Sequence, residues 1–151
     1  MGTITYAQMC DALASTLGAA TGLARTQSYN ELTEDYPDLP LLQVYPSGNE
    51  VDALSTTADR RTFRAGSRLN QVRLVADVIC RTRSHLAEDV AKQLEMWEAI
   101  EAVLYTQNTK PYFGDAGIKG FHWASEMVYL GRGDTQIGYA AVRFTITLQV
   151  F

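Results

Sequence analysis

Cysteine and histidine are scarce in this chain of 151 residues, which contains two of each. Cys10 and Cys80 lie far apart in the sequence, each in an apolar context, and no CxxC pair or Cys/His cluster is present. A structural zinc site requires such a cluster, so we predict no metal site and no other cofactor. We predict that the two cysteines are buried free thiols in a protein of a reducing compartment.

Motifs of catalysis and nucleotide binding are missing as well. The chain has no GxSxG, GxxxxGK(S/T) or GxGxxG motif. His85 follows Ser84, but adjacent residues on a helix do not face each other and cannot act as a nucleophile and its base. His122 stands beside an aromatic residue at a predicted strand entrance. We therefore predict that the protein is not an enzyme.

Long apolar runs are also absent. No stretch reaches the roughly 20 apolar residues of a membrane-spanning helix, and the first residues show no pattern that would indicate a secretory signal. The composition, with 46% hydrophobic and 20% charged residues, is ordinary for a soluble globular protein. From the length we expect a single domain over residues 1–151.

Charge is present but unevenly distributed around a net value of −4. Residues 60–83 carry seven arginines and one acid, whereas residues 1–59 carry eight acids and one base. Three interpretations remain open for this basic segment: charge balance within the chain, contact with an acidic face of a neighbouring copy, and contact with nucleic acid. We predict a subunit or tube interface at four of its residues, Arg60, Arg61, Arg64 and Arg68.

Two stretches have helical periodicity. Thr5 and Gln8 form a capping-box pattern ahead of a helix predicted over about residues 6–20. A second helix, predicted to be capped by Ser84, carries a stripe at intervals of three or four that we expect to pack on a sheet: Leu86, Val90, Leu94, Trp97, Ile100 and Leu104. Its other side is acidic, with Glu95, Glu98 and Glu101.

Strand patterns fill most of the remaining chain. A short strand is predicted over residues 41–45, between a connecting loop at 26–40 and a turn at 46–49. Three more strands are predicted over residues 69–81, 123–130 and 139–151, the last two joined by a hairpin turn at 131–134. Residues 106–121 are predicted to be a loop, and residues 47–70 a projecting arm.

The last strand alternates between apolar residues and a second set that is largely polar. A strand of this length needs pairing along both sides, because an open edge attracts another chain. Its apolar residues are expected to face the helix that carries Leu94 and Trp97. Its polar residues are predicted to form a channel wall or a contact with a neighbouring copy: Arg143, Thr145, Thr147 and Gln149.

Together the patterns predict an α+β fold, with a mainly antiparallel sheet, two amphipathic helices on one face and a long projecting loop. In size and in the order of its elements the chain resembles the tail terminator, or tail completion, proteins of long-tailed bacteriophages. The matching features are a helix before LPLLQVYP, a long loop before LNQVRLVADVICR and an acidic helix, and a last strand YAAVRFTITLQVF. No motif matches position by position, so no site residues carry over.

The resemblance implies a structural protein of the virion, located at the neck of the tail and assembled in the host cytoplasm. Six copies would close into a homohexameric ring at the head-proximal end of the tail tube. The ring would stop tube growth and join the tail to head-completion proteins, so those proteins, the tail-tube protein and other copies of the chain would be its partners. DNA would pass through without specific binding, and no membrane would be involved.

Other functions remain open. Within assembly, a head–tail connector or stopper and a tail-tube subunit fit the same patterns. From a different class, a small-ligand-binding or enzymatic α+β domain would place its site on the 106–122 loop and would form a monomer or dimer with a polar pocket.

Overall fold

The structure is a computed structural model that describes residues 4–33, 36, 38–51, 70–132 and 135–150. These residues form two α-helices and five strands. The helices are α1 (Tyr6–Leu17) and α2 (Leu86–Tyr105). The strands are β1 (Arg25–Gln27), β2 (Leu41–Val51), β3 (Asn70–Thr82), β4 (Ile118–Arg132) and β5 (Thr135–Val150).

The strands form one sheet in the order β1-β2-β3-β5-β4, in which only the β1–β2 pair is parallel. Both helices contribute to the same apolar cluster as alternate residues of the central strands, so they cover one face of the sheet. The predicted α+β class, with a mainly antiparallel sheet and two helices on one face, is confirmed. The predicted arm lies largely outside the described residues.

The core forms where the apolar residues at alternate positions of β3 and β5 pack against the helices. The register sets Leu74 opposite Ile146 and Ala76 opposite Phe144, and all four are fully buried. The apolar residues of β5 from Val142 to Val150 therefore face the helices, as predicted. The helices contribute residues that are likewise buried in this cluster: Met9, Leu13, Leu17, Met96, Ile100 and Leu104.

Helix α1 begins with the predicted capping box. The Thr5 hydroxyl accepts from the Gln8 backbone N–H at 3.1 Å, and the Gln8 side chain accepts from the Thr5 N–H at 2.8 Å. These two bonds satisfy donors that a helix start otherwise leaves free. The helix ends at Leu17, three residues earlier than predicted, because the chain turns at Gly18 toward the short strand β1.

Strand β2 corrects two predictions. The turn predicted at 46–49 is absent, since β2 continues through it to Val51 with an irregularity between Pro46 and Gly48. Beyond Gln43, the described strands leave the outer side of β2 unpaired, and a sheet edge tolerates proline. The loop predicted at 26–40 contains β1, which pairs in parallel with the start of β2.

Helix α2 begins differently from the prediction. Ser84 is not its cap; His85 occupies the N-cap position and makes no side-chain capping bond. Asp89, from inside the helix, instead accepts from the backbone N–H of Ser84 at 3.3 Å, which ties the residue before the N-cap to the first turn.

The predicted apolar stripe of α2 is wrong in its first half. Leu86 and Leu94 are 62% and 46% exposed, whereas Asp89 and Gln93 are buried. The Gln93 amide donates to the carbonyl oxygens of Ala141 at 2.8 Å and Val128 at 3.4 Å, and its own oxygen has no partner among the described residues. These polar contacts turn the first half of the helix so that the two leucines face outward.

The hairpin of β4 and β5 is longer than predicted, with β4 starting at Ile118 inside the predicted 106–121 loop. β5 pairs on both sides, with β3 and with β4, so the outer edge of the sheet on this side belongs to β4. Of the turn predicted at 131–134, residues 133 and 134 lie outside the described part. No helix described here is long and apolar enough to cross a membrane.

Candidate assembly surface

The face of the sheet opposite the helices is the main candidate for a functional surface. We call it the open face, because neither α1 nor α2 covers it. Its residues are the alternate positions of β3, β4 and β5 that do not contribute to the core. All four residues predicted on β5 as a channel wall or neighbour contact belong to it: Arg143, Thr145, Thr147 and Gln149. The structure brings them together, and their function stays a prediction.

Side chains on the open face lie in rows across the strands. The first row runs Gln43–Asp77–Arg143–Glu126, the second Tyr45–Val75–Thr145–Ala124 and the third Gly48–Arg73–Thr147–His122. Thr145 and Thr147 therefore each have a cross-strand neighbour on both sides, and Thr147 is buried.

The first row contains a two-bond ion pair. Arg143 Nε and Nη2 donate to Asp77 Oδ1 and Oδ2 at 2.8 and 3.1 Å, and the Tyr45 hydroxyl donates to Oδ2 at 2.7 Å. Asp77 is only 4% exposed, so its charge is balanced inside the face. No sequence pattern indicates this pair, because its members lie 66 residues apart and meet only through the β3–β5 register.

This cluster shifts the acid–base properties of its members. The hydrogen bonds to Asp77 raise the pKa of the Arg143 guanidinium, which stays charged at any working pH. Burial, with a further contribution from the bond to Asp77, raises the pKa of Tyr45 to about 12. Both groups therefore keep one charge state around neutral pH, as expected of a structural contact.

One corner of the open face is closed by the chain itself. Leu41, Ile79 and Tyr139 form a small apolar cluster there, and Tyr36 packs its ring edge-on against Tyr139 with centroids 4.7 Å apart. Beside it, the buried Gln43 amide donates to Gln27 at 2.9 Å. In the next row Gln43 and Asp77 are still buried, Arg143 is half-buried and Glu126 is exposed.

A second candidate surface is the outward side of α2. It carries Leu94, Glu95, Glu98 and Tyr105, all exposed. At its N-terminal end Asp89 pairs with Arg81 at 3.3 Å and with Arg83 at 3.6 Å. Sequence reasoning missed both features, since it placed the leucines in the core.

The Arg83 side chain connects α2 to the hairpin. Its guanidinium carbon lies 4.3 Å from the centre of the Tyr129 ring, a cation–π contact. Arg83 also lines an open groove of about 480 Å³ together with Thr82, Ser84, Ile137 and Gly138. The Ser84 hydroxyl there accepts from Arg81 Nη2 at 2.6 Å. The groove has no histidine in its lining.

The 106–122 region, where a ligand site was the alternative prediction, is packed around aromatic rings. Phe113 is buried, with its ring centroid 4.8 Å from that of Phe121, and Tyr112 packs on the same ring. The Gln107 side chain accepts from the Phe113 N–H at 2.8 Å. In the described residues, no three His, Cys, Asp or Glu side chains form a group that could hold a metal ion.

The predicted interface arginines, Arg60, Arg61, Arg64 and Arg68, lie outside the described residues, and their contacts stay a prediction. No family model matches the chain, and no curated protein matches it in sequence.

Proposed function

We propose that this chain is a structural assembly protein of a phage tail. In this proposal its copies form a ring at the head-proximal end of the tail tube, stop tube growth and join the tail to head-completion proteins. The observation that carries the proposal is the open face, a broad polar surface of the sheet that the two helices leave uncovered. A subunit that lines a channel needs such a face.

The charges of the open face fit a wall along which DNA slides. Asp77 and Arg143 neutralise each other, Glu126 lies across β5 from Arg143, and Arg73 occupies the third row. Acids and bases therefore alternate over the face. A wall rich in unpaired cations would bind phosphates and hold the DNA, so mixed charge favours passage over binding.

Ring closure requires two different patches on each subunit that complement each other. The chain has a basic segment at residues 60–68 and an acidic helix α2, which together offer patches of opposite charge. Charge complementarity of this kind sets the register of an interface and speeds encounter. A homohexamer at the neck of the virion is the assembly that the resemblance favours.

The test is the mass and shape of the full-length protein, alone and with tail tubes. Sedimentation velocity and negative-stain images are expected to show a discrete ring of about six subunits, and the ring is expected to bind tube ends and block further growth. Rings that never bind a tube end would reject the terminator function and favour a head–tail connector or stopper. Long tubes of this protein alone would identify a tail-tube subunit.

The enzymatic or ligand-binding alternative gives a different result in the same experiment. It predicts a monomer or dimer at all protein concentrations and salt concentrations, with tubes present or absent. That outcome would overturn the assembly proposal as a whole.

A further inference from the structure

The outward side of α2 is unusual for a helix that also covers a sheet. Leu94 is 46% and Tyr105 is 67% exposed, and Glu98 lies one turn after Leu94 and two turns before Tyr105 along the same side. Leu94 and Tyr105 stand about 16 Å apart along the helix axis, with Glu98 and Glu101 between them. This side therefore has the composition of a contact surface.

Its exposure is a consequence of specific contacts. Asp89 and Gln93 point into the protein, where Arg81, Arg83 and backbone carbonyls hold them. Because the helix is rigid, turning those two residues inward turns Leu94 outward. The surface is thus part of the fold, and it does not depend on a mobile side chain.

The same side has unbalanced negative charge. In the part of the chain that the structure describes, Glu98 and Glu101 take part in no ion pair, whereas Glu95 pairs with Lys92. Several of the described cations already pair with other acids: Arg25, Arg81, Arg83, Lys92 and Arg143. A partner for Glu98 and Glu101 must therefore bring its own positive charge.

One segment of the chain has the matching chemistry. Residues 60–68 read RRTFRAGSR, with four arginines around Phe63. Val51 and Asn70 pair at one end of the sheet, so residues 52–69 leave and return there. Nine residues in each direction, at about 3.3 Å each, allow a reach of at most about 30 Å. That reach is long enough to contact an adjacent subunit.

We infer that the arginine segment 60–68 of one copy binds the outward side of α2 in the next copy. This inference rests on the proposed ring, because it names the two surfaces that join neighbouring subunits. Arg61 and Arg64 approach Glu98 and Glu101, and Phe63 packs near Leu94. Exposed ion pairs add little affinity, so the apolar contact supplies the stability and the charges set the register.

The test uses two charge-reversal variants of the full chain. In the first, Glu98→Arg and Glu101→Arg make the helix surface positive; in the second, Arg61→Glu and Arg64→Glu make the segment negative. Alone, each variant opposes like charges at every contact, so we expect self-association at least about tenfold weaker than wild type. Mixed in equal amounts, they are expected to form alternating rings, because every contact then joins opposite charges.

Sedimentation velocity is measured for each variant, for their mixture, for a chain that carries all four substitutions and for the wild type. If either variant alone self-associates as strongly as the wild type, the inference is overturned. Recovery only when all four substitutions are in one chain would also overturn it, since it would place the contact within a single subunit. Circular dichroism of each variant is expected to match the wild type, because Glu98 is exposed and neither Glu98 nor Glu101 forms an ion pair within the described residues.

Tube binding separates this inference from the proposed function. If rings form and recover in the mixture but do not bind tube ends, the inference stands and the terminator function fails. If the single variants still cap tubes like the wild type, the function stands and the inference fails. A wild-type chain that neither self-associates nor binds tubes overturns both.

Discussion

The Asp77 carboxylate connects three strands of the open face. It accepts from Tyr45 on β2 and from Arg143 on β5, while its own backbone lies in β3. A buried carboxylate is stable only when its charge is compensated and its oxygens are hydrogen-bonded, and both conditions hold here. A substitution of Asp77 therefore removes contacts to two neighbouring strands at once.

We expect Asp77→Asn to lower the free energy of unfolding by about 1–3 kcal/mol. The change leaves the Arg143 charge without its partner; the value is below that of a fully buried pair because Arg143 is partly exposed. Urea denaturation measures it. The matched control is Glu126→Gln on the other side of Arg143, which is exposed and expected to cost less than about 0.5 kcal/mol. Equal losses in both variants would contradict the assignment.

The buried thiols predict a loss of stability at alkaline pH. Burial raises the pKa of Cys80 from 9.0 to about 12, and burial with the nearby Asp11 charge raises that of Cys10 to about 11. Because the pKa of each thiol is higher in the folded than in the unfolded chain, the stabilisation is complete below pH 9 and is lost as the pH rises toward 12. Each thiol contributes a slope of about 1.4 kcal/mol per pH unit where only the unfolded chain ionises.

Removing one thiol should make that loss less steep. Between pH 9.5 and 11 the unfolding free energy of both proteins is expected to fall as the pH rises. The slope for Cys80→Ala should be smaller than that of the wild type by about 1.4 kcal/mol per pH unit. Urea denaturation at several pH values measures the slope, which is independent of any constant loss caused by the smaller side chain. Identical slopes would show that Cys80 ionises normally in the folded protein.

At the scale of elements, α2 shows how polar contacts override an apolar pattern. Its sequence favours a stripe through Leu86, Leu94 and Ile100, but only Ile100 is buried. Asp89 and Gln93 have partners inside the protein, and leaving such polar groups unpaired would cost more than exposing leucines. The orientation of α2 therefore depends on two polar residues in its first half.

Asp89→Ala and Glu88→Ala form a matched pair that tests this orientation. The two carboxylates are neighbours in the first turn, but their side chains are 1% and 59% exposed. We expect Asp89→Ala to cost about 2–3 kcal/mol, since it leaves Arg83 and the Ser84 N–H without their acceptor and removes one of the two acids that pair with Arg81. Glu88→Ala should cost below about 1 kcal/mol. Thermal or urea unfolding compares them, and similar costs would argue against an anchoring role of Asp89.

At the scale of the whole molecule, the two sides of the sheet differ in what they contact. The helix side holds the core, and the open face is the surface that the proposed ring would turn toward DNA. The β4 strand adds His122 and Ala124 to that face, and both are exposed. Substitutions there change the surface without disturbing the core.

Adding cations to the open face is expected to make a ring bind DNA. The chain with His122→Lys and Ala124→Lys would place new charges along the channel, and duplex DNA should then be retained at a salt concentration at which the wild-type ring shows no binding. Gel-shift and salt-titration measurements test this. The control adds the same charges at Ser15 and Ala19, exposed residues near the end of α1. Equal DNA binding by both variants would argue against an open face that lines the channel.

The sequence by itself determined the elements whose signals are local. The capping box of Thr5 and Gln8, the alternation of β3 and β5 and the free buried thiols each follow from neighbouring residues, and the structure has all three. Propensity and periodicity act within a few residues, so these features need no knowledge of the fold. The α+β class followed from them.

Only the tertiary structure decided the features that depend on distant partners. The Asp77–Arg143 pair, the parallel pairing of β1 and the passage of β2 through Pro46 all depend on which strands become neighbours. The same holds for the exposure of Leu94, because the residues that turn α2 find their partners on other elements. A pattern along the chain determines which residues share one side of a strand or helix. The pairing of the strands determines which other residues that side contacts.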